Sequence, residues 1–383
     1  MSGAPVRPIN GWCPMNQISE KPVVFAKFQG QEILGELGRY MFSLLNAFSG
    51  AGHPIMLFDN LSTGQMGIYA LEARSLNNLQ LTQAAPDSTI DKIYLFDIED
   101  KKLAKRRWEK KIQIKFDVFA PYWLRRPVLK PFPIHPVHVG PDLDDRLARF
   151  RTSPRCMRVF FSGDMEGYTR NRINYPGPKL PRAEVIKAVR ERLGDKVLFV
   201  QDRETLDRVL ACGYTEKCVI LDTSKLRVPD GEWLGVLSKA DFFLAPPGIV
   251  MPMCHNAVEA MAVGTVPIIN YPEWFDPNLE NMRNCVAFGD AQSLCEQLAI
   301  VFAMGHEQLA AMHASAISYY EAHLSDQSFV TEIEARPERK IDVLMITERY
   351  VAANADRLNG RSVLLRGATT KGAAGWFRRL IQS

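Results

Sequence analysis

The segment between residues 240 and 271 reads Asp241-Phe-Phe-Leu-Ala-Pro-Pro-Gly248, then Met253-Cys-His-Asn-Ala-Val-Glu-Ala-Met-Ala-Val-Gly264, then Thr265-Val-Pro-Ile-Ile-Asn270. The first part holds a short apolar run bounded by two prolines and a glycine, which is typical of a strand buried on both faces of a parallel sheet. The second has apolar residues at helical spacing and ends on a glycine suited to a C-terminal cap. The third repeats the buried-strand pattern, so the segment predicts one βαβ unit of about 30 residues.

The turn between the predicted strand and helix carries polar residues suited to a phosphate. A loop that contains Gly248 and runs into a helix N-terminus gathers backbone N–H groups at the positive end of the helix dipole. His255 and Glu259 are four residues apart and share a helix face, with Asn256 beside them. An imidazole can donate to a phosphate oxygen, and a carboxylate can accept from a ribose or sugar hydroxyl. The alternative is that these three polar residues only cap the helix.

The string Glu259-Ala-Met-Ala-Val-Gly-Thr-Val-Pro-Ile-Ile269 resembles a recurrent signature of the donor-binding half of GT-B glycosyltransferases. An upstream element, Phe160-Phe-Ser-Gly-Asp164 followed by Arg170 and Arg172, is similar to one found in exostosin-like members. The resemblance spans residues 156–304. It implies an α/β protein of the GT-B class: two Rossmann-like domains that face each other across a cleft, with C-terminal helices crossing back. It also implies a nucleotide-diphosphate sugar as the donor for hexosyl or deoxyhexosyl transfer.

One position departs from the pattern of this family. Retaining members commonly carry a second glutamate eight residues before the conserved one, and the residue there is Met251. The departure favours an inverting mechanism.

The bulk composition fits a two-domain enzyme. The chain has 383 residues, 46% of them hydrophobic and 23% charged, with a formal net charge of +4. This length exceeds one ordinary core and predicts two domains of roughly 150 residues each. No run of about 18 uncharged apolar residues is present, and residues 1–20 lack the features of a signal peptide. The seven cysteines are scattered, so a cytoplasmic location is expected.

Alternating apolar and helical stretches predict three parts of the chain. Residues 1–145 form an N-terminal α/β domain for the acceptor, and residues 150–330 form a nucleotide-sugar-binding Rossmann-like domain. Residues 331–383 form a mostly helical segment that returns toward the first domain. The proline-rich stretch 131–141 is interpreted as the approach to the interdomain linker. Ligands of such parallel sheets lie beyond the carboxyl ends of the strands.

Stabilising the departing diphosphate requires positive charge. We expect basic side chains and a helix dipole to supply it rather than a metal, and no other cofactor is expected. Ser162 and Gly163 contribute the loop that follows the strand. The predicted cations are Arg170, Arg172 and Lys225, and the guanidinium of an arginine can hold two phosphate oxygens. The string Asp142-Leu-Asp-Asp145 contains a metal-binding type of spacing. Its place after the linker favours the start of a short helix instead.

Inverting transfer also needs a general base that faces the cleft from the first domain. The loop after the first strand offers Glu32 and Glu36, and Asp59 and Asp97 end later strands. Each of these acids has an alternative interpretation as a helix cap or a surface charge.

A basic strip between Lys101 and Lys130 holds eleven Lys or Arg and only two acidic residues, interleaved with Trp108, Tyr122 and Trp123. This pattern suits an acidic or phosphorylated glycan of the cell-surface polysaccharide or lipopolysaccharide type, lipid-linked at an anionic membrane surface. The tail that begins at Trp376 would add a peripheral membrane contact. Three alternatives remain open: a solvated basic face, a nucleotide-sugar epimerase or hydrolase on the same fold, and single-stranded nucleic-acid binding, although no nucleic acid is expected as a partner.

Overall fold

The computed structural model describes residues 21–61, 66–116, 127–130, 132–165, 179–211, 213–248 and 251–354. Within these residues the chain forms two parallel β-sheets of seven and six strands. Helices pack against both sheets, and a cavity lies between them. Two Rossmann-like domains that face each other across a cleft constitute the GT-B architecture, so the predicted fold class is confirmed.

The first sheet has the strand order β3-β2-β1-β4-β5-β13-β6, and all neighbours are parallel. Its strands are β1 (Val23–Lys27), β2 (Ile55–Phe58), β3 (Leu79–Thr82), β4 (Lys92–Phe96), β5 (Lys110–Lys115), β6 (Val128–Lys130) and β13 (Lys340–Met345). The helices between them are α1 (Gly35–Gly50), α2 (Ile68–Ala73) and α3 (Lys101–Ala104). A short helix α4 (Leu143–Arg151) leads into the second domain.

The second sheet has the order β12-β11-β10-β7-β9-β8 and is also parallel. Its strands are β7 (Met157–Gly163), β8 (Val197–Val200), β9 (Thr215–Asp222), β10 (Ala240–Leu244), β11 (Val266–Ile269) and β12 (Val286–Ala287). Its helices are α5 (Arg182–Leu193), α6 (Arg203–Ala211), α7 (Asp230–Leu237), α8 (His255–Ala262), α9 (Ala291–Ala303) and α10 (His306–Tyr319). Strand β10 is buried along its whole length, as its apolar run and central place in the sheet require.

The C-terminal part of the described chain returns to the first domain, but not only as helices. Helix α11 (Asp326–Ala335) packs on α1, and the Asn46 side chain donates to Asp326 at 3.1 Å. Strand β13 then inserts between β5 and β6, and α12 (Glu348–Ala353) follows it. The mostly helical character predicted for residues 331–383 therefore needs correction at β13. Residues 355–383, including the proposed membrane-contacting tail, lie outside the described part of the chain.

A left-handed stretch of backbone shapes the start of α1. Glu36, Leu37 and Gly38 have φ values of 51°, 61° and 87°, so regular helix begins only after them. Left-handed conformation costs a non-glycine residue on the order of 1–3 kcal/mol and is concentrated at functional sites. The strained loop lies at the cleft, where Glu36 and Leu37 are lining residues.

The left-handed loop is held by close backbone packing against α2. A methyl group added at Gly67 would lie 2.3 Å from Leu37 Cα. We expect Gly67→Ala to lower the free energy of unfolding by about 1–3 kcal/mol, because backbone lies on both sides of the contact. Urea titration followed by circular dichroism measures this. Gly231→Ala is the matched control, since nothing lies within 4 Å of the added carbon, and an equal loss in both variants would contradict the packing argument.

Candidate active site at the interdomain cleft

The cleft between the two sheets is a cavity of about 730 Å³. It is lined by the segments that follow β7, β9 and β10 in the second domain, and by the loop after β1 and the start of α12 in the first. Parallel strands bring their carboxyl ends to one edge, which is where such folds bind ligands. Six predicted site residues lie in this lining: Glu36, Ser162, Gly163, Gly248, His255 and Asn256.

The loop after β7 lies against an arginine that the sequence did not single out. Arg182 is the first residue of α5, and its Nη1 donates to the Asp164 carbonyl at 3.4 Å. A methyl group added at Gly163 would lie 3.3 Å from Arg182 Nη1 and 3.0 Å from the Phe161 ring. A side chain at residue 163 would therefore press on the Phe161 ring and on the guanidinium, so glycine lets Arg182 lie close to the loop.

The N-terminus of α8 points into the same cavity. Cys254 is its N-cap residue and makes no side-chain cap, and His255 and Asn256 form the first turn. A methyl group added at Gly248 would lie 2.5 Å from the Met251 carbonyl oxygen, so glycine is needed to fold this loop. The arrangement presents the positive end of a helix dipole to the cleft, as the βαβ pattern predicted.

Burial keeps the cleft histidines neutral. It lowers the pKa of His255 to about 3, helped by the charge of Arg39. It also lowers the pKa of His135 to about 3, and Arg39 acts in the same direction. The two rings lie 5.3 Å apart, and Tyr69 packs edge-on at 5.4 Å from His135. Neutral imidazoles can donate one hydrogen bond each without adding charge.

Glu259 does not face the cleft. Its side chain is fully buried, Oε1 accepts from the His135 backbone N–H at 3.0 Å, and Oε2 accepts from Trp233 Nε1 at 2.7 Å. The linker residue His135 and helix α7 are thereby tied to α8. The signature glutamate joins the linker to the second domain, and its complete burial keeps it from contacting a sugar hydroxyl.

The burial of Glu259 leads to a pH-dependent prediction. Burial raises the pKa of this carboxyl above its ordinary value of 4.5, so the native state binds the proton more tightly than the unfolded chain does. The stability from that proton is complete below pH 4.5 and is lost as the pH rises toward the folded pKa. We therefore expect wild type to lose stability relative to Glu259→Gln above pH 4.5, by about 1.4 kcal/mol for each unit of pKa difference.

Urea titrations of wild type and Glu259→Gln between pH 4.5 and 8 measure this difference. Glu204→Gln is the control, because Glu204 is exposed on the surface of α6. A difference between wild type and Glu259→Gln that does not change with pH would contradict the buried-carboxyl account.

Three other donor-side predictions fare differently. Lys225 is exposed and does not line the cavity, although it lies close to the end of β9 as predicted. Arg170 and Arg172 lie outside the described residues. Arg182 and Arg227 line the cavity instead, and Arg227 lies 3.6 Å from Asp230. A signal for Arg182 was present in the sequence, since this basic residue directly follows Pro181, and proline is common at helix starts.

The first domain contributes a charged cluster to the cleft. Arg39 Nη1 lies 3.3 Å from Glu36 Oε2, and the Tyr40 hydroxyl donates to Glu36 Oε1. Arg39 Nε is buried and has no hydrogen-bond partner among the described residues. Glu348, which the sequence analysis missed, begins α12 and also lines the cavity. Burial and the Glu36 charge raise the pKa of Glu348 above its ordinary value.

The other predicted bases are held away from the cavity lining. Asp59 accepts from Arg74 at 2.8 Å. Asp97 accepts from three backbone N–H groups, two of them at residues 29 and 30, and so fixes the loop after β1. Glu32 belongs to a 3-10 turn and does not line the cavity. Glu36 is the acid among these four predicted residues that lines the cleft.

The basic strip is partly structural. Lys110 Nζ donates to three carbonyls at the end of α11, Lys115 pairs with Asp342 at 2.7 Å, and Lys130 pairs with Asp326. Trp108 is buried, so its ring cannot stack on a sugar of the acceptor in the way that the basic-strip interpretation predicted. Its ring stacks on Phe25 at 5.8 Å. Tyr122 and Trp123 lie outside the described residues.

The spacing Asp142-Leu-Asp-Asp145 begins helix α4, as the sequence analysis predicted. Asp142 is the N-cap residue, and its Oδ1 lies 3.6 Å from Arg146 Nη1. Across the described residues, no group of three or more His, Cys, Asp or Glu is arranged to hold a metal ion. The same part of the chain contains no helix long and apolar enough to cross a membrane.

Comparison with solved structures gives distant similarity over most of the chain. The N-terminal domain of Candida albicans trehalose-6-phosphate phosphatase is 7% identical (TM-score 0.41), covering 84% of this chain and 98% of that chain. HepE of Anabaena in complex with UDP is 10% identical (TM-score 0.42), covering 82% of this chain and 98% of that chain. A Rickettsia africae glycosyltransferase is 8% identical (TM-score 0.43), covering 82% of this chain and 97% of that chain. No family model matches the chain, and no curated protein matches its sequence. TM-scores below 0.5 carry no inference about activity.

Proposed function

We propose that the protein is a glycosyltransferase that moves a hexosyl or deoxyhexosyl group from a nucleotide-diphosphate sugar to a glycan acceptor. One observation carries the proposal. The N-terminus of α8, the Gly163 loop with Arg182, and Arg39 of the opposite domain all line one cleft of about 730 Å³. A negatively charged diphosphate is the ligand chemistry that this combination of donors and cations suits.

The donor binds to the second domain in this proposal. The diphosphate accepts from the first-turn N–H groups of α8 and from the guanidinium of Arg182, while neutral His255 donates a further hydrogen bond. Arg39 reaches the same region from the first domain, since it lines the same cavity as His255. These groups stabilise the charge that develops on the leaving diphosphate, with no metal required.

The acceptor binds to the first domain. Glu36 takes the proton from the attacking hydroxyl, and Tyr40 and Arg39 orient its carboxylate. Attack on the face of the sugar opposite the leaving group inverts the anomeric centre, in agreement with Met251 at the position of the second glutamate of retaining enzymes. Glu348, whose pKa is raised by burial, donates a hydrogen bond to the acceptor from its protonated carboxyl.

The exposed residues of the basic strip agree with an acidic or phosphorylated acceptor. This acceptor is of the cell-surface polysaccharide type and is carried on a lipid at the inner face of a membrane. Lys101, Lys102, Lys105 and Arg107 are exposed at the end of the first sheet where α3 follows β4. Their surface charge attracts anionic glycans or lipid headgroups and is screened by salt. The exostosin-like subtype belongs to the same proposal.

The test is nucleotide release from a panel of UDP-, GDP-, ADP- and CMP-sugars, with and without oligosaccharide acceptors that carry phosphate or uronic acid groups. Acceptor-dependent release from one donor supports the transferase. Equal turnover without an acceptor would favour the epimerase or hydrolase on this fold. Absence of turnover together with binding of single-stranded nucleic acid would overturn the proposal.

A further inference from the structure

A second cavity, of about 380 Å³, lies at the opposite edge of the second sheet. Its lining includes Arg158 on β7, Tyr214 just before β9, Asp241 on β10, and His306 and His313 on α10. These residues lie at the amino ends of strands whose carboxyl ends form the cleft. Arg158 and Gly163 are five residues apart on β7, which at about 3.3 Å per residue separates them by roughly 16 Å.

Arg158 is the central cation of this rear cavity. The residue is only 5% exposed, and its Nε has no hydrogen-bond partner among the described residues. Its terminal nitrogens reach the Met304 carbonyl at 3.5 Å, Asp241 at 3.7 Å and the exposed Glu216 at 3.7 Å. A buried guanidinium whose contacts are this long is under-satisfied, because a good charge-assisted bond is about 2.7–2.9 Å long.

The buried charges around the rear cavity do not balance. Arg155 and Arg158 bring two permanent positive charges, and Asp241 is the one carboxylate among the described lining residues, since Glu216, which also approaches Arg158, has a side chain 70% exposed to solvent. Arg155 is engaged by the Ala240 carbonyl and by Thr265, which satisfy its hydrogen bonds without neutralising its charge. Asp241 accepts from the Tyr214 hydroxyl and so already has a donor. Excess buried positive charge is relieved by an anion.

Two further features favour an anion with a small organic body. Helix α10 starts at the cavity with His306, after the N-cap Gly305 that provides no side-chain cap, so backbone N–H groups of its first turn are directed there. Tyr214 is 45% exposed, and the Arg158 guanidinium lies 5.3 Å from its ring centroid. A volume of 380 Å³ is within the range of about 300–1,000 Å³ of small-molecule sites and exceeds what a lone phosphate fills.

We propose that this rear cavity binds a phosphate group, carried on a molecule the size of a monosaccharide or present as free phosphate. Arg158 holds two phosphate oxygens, His306 and the first turn of α10 hold the third, and Tyr214 covers the attached ring. The site is independent of the proposed transferase chemistry, since it lies at the opposite ends of the strands.

Calorimetric titration of glucose 6-phosphate, inorganic phosphate and glucose into the full chain tests the site. We expect both phosphates to bind and glucose not to. Tighter binding of glucose 6-phosphate indicates an organic phosphate, equal binding indicates free phosphate, and absence of binding by either overturns the proposal.

Variants separate the rear cavity from the cleft. Arg158→Gln is expected to weaken phosphate binding by about tenfold or more, because a charge-assisted pair is lost. Arg182→Gln in the cleft leaves this binding unchanged. Loss of all binding in Arg182→Gln, or wild-type binding in Arg158→Gln, would overturn the assignment. If Arg158→Gln does not fold, His306→Ala decides, since His306 is exposed: we expect it to weaken binding severalfold, and unchanged affinity would refute the site.

Discussion

Arg182→Gln is expected to lower kcat/KM for donor turnover by about 10²–10³, the loss seen when one group that stabilises transition-state charge is removed. Arg182 lies beside the Gly163 loop and lines the same cavity as the first turn of α8, where the leaving diphosphate would gather charge. Glutamine keeps the approximate length and polarity of arginine but not its charge. Most of the effect is therefore expected in kcat, with a smaller loss of nucleotide affinity.

Arg192→Gln is the matched control for this prediction. It makes the same substitution on the same helix at an exposed position outside the cavity lining. We expect wild-type turnover from it, measured as nucleotide release under identical conditions. Similar losses in both variants would point to destabilised α5 rather than a lost phosphate contact, which thermal unfolding of each variant checks independently.

Glu36→Gln is expected to reduce kcat by about 10²–10⁴, the usual contribution of a general base. Glutamine can still accept from Tyr40, so the local hydrogen bond and the left-handed loop are retained. Binding of the nucleotide to the second domain should be unaffected, because Glu36 lies on the opposite wall. The measurement is single-turnover transfer at saturating donor, paired with calorimetric nucleotide affinity.

Glu32→Gln serves as the control for the base, since Glu32 comes from the same loop but does not line the cavity. It should keep activity within about twofold, as surface substitutions away from functional features do. If Glu36→Gln kept full turnover while Glu32→Gln lost it, the assignment of the base would be wrong. Glu348→Gln extends the series, because it removes the proton-holding carboxyl next to Glu36.

Local sequence patterns predicted the second domain well. The apolar run after Thr265 matches the observed strand β11, because it is a short strand flanked by clear breaks. The same logic placed Gly163, Gly248 and His255 at the carboxyl edge of one sheet. Periodicity and turn residues suffice to predict a strand or helix whose burial is evident from its own sequence.

Contacts between residues far apart in the chain could not be predicted from local sequence patterns. Strand β13 contains Asp342 within its apolar run, and that charge is compensated by Lys115 on β5, 227 residues earlier in the chain. This pairing also gives the Lys115 charge of the basic strip a structural role. Glu259 was predicted to face a ligand because its helix position was known, but its burial depends on His135 and Trp233, whose approach no local pattern reveals.

The most direct test of the central claim is calorimetric titration of UDP, GDP, ADP and CDP into wild type and Arg182→Gln, in buffer containing EDTA. A cleft that holds a diphosphate with helix α8 and arginines predicts micromolar binding of one nucleotide by wild type, weakened about tenfold or more in Arg182→Gln. Binding that is absent with all four nucleotides, or equal in the two proteins, would contradict the account.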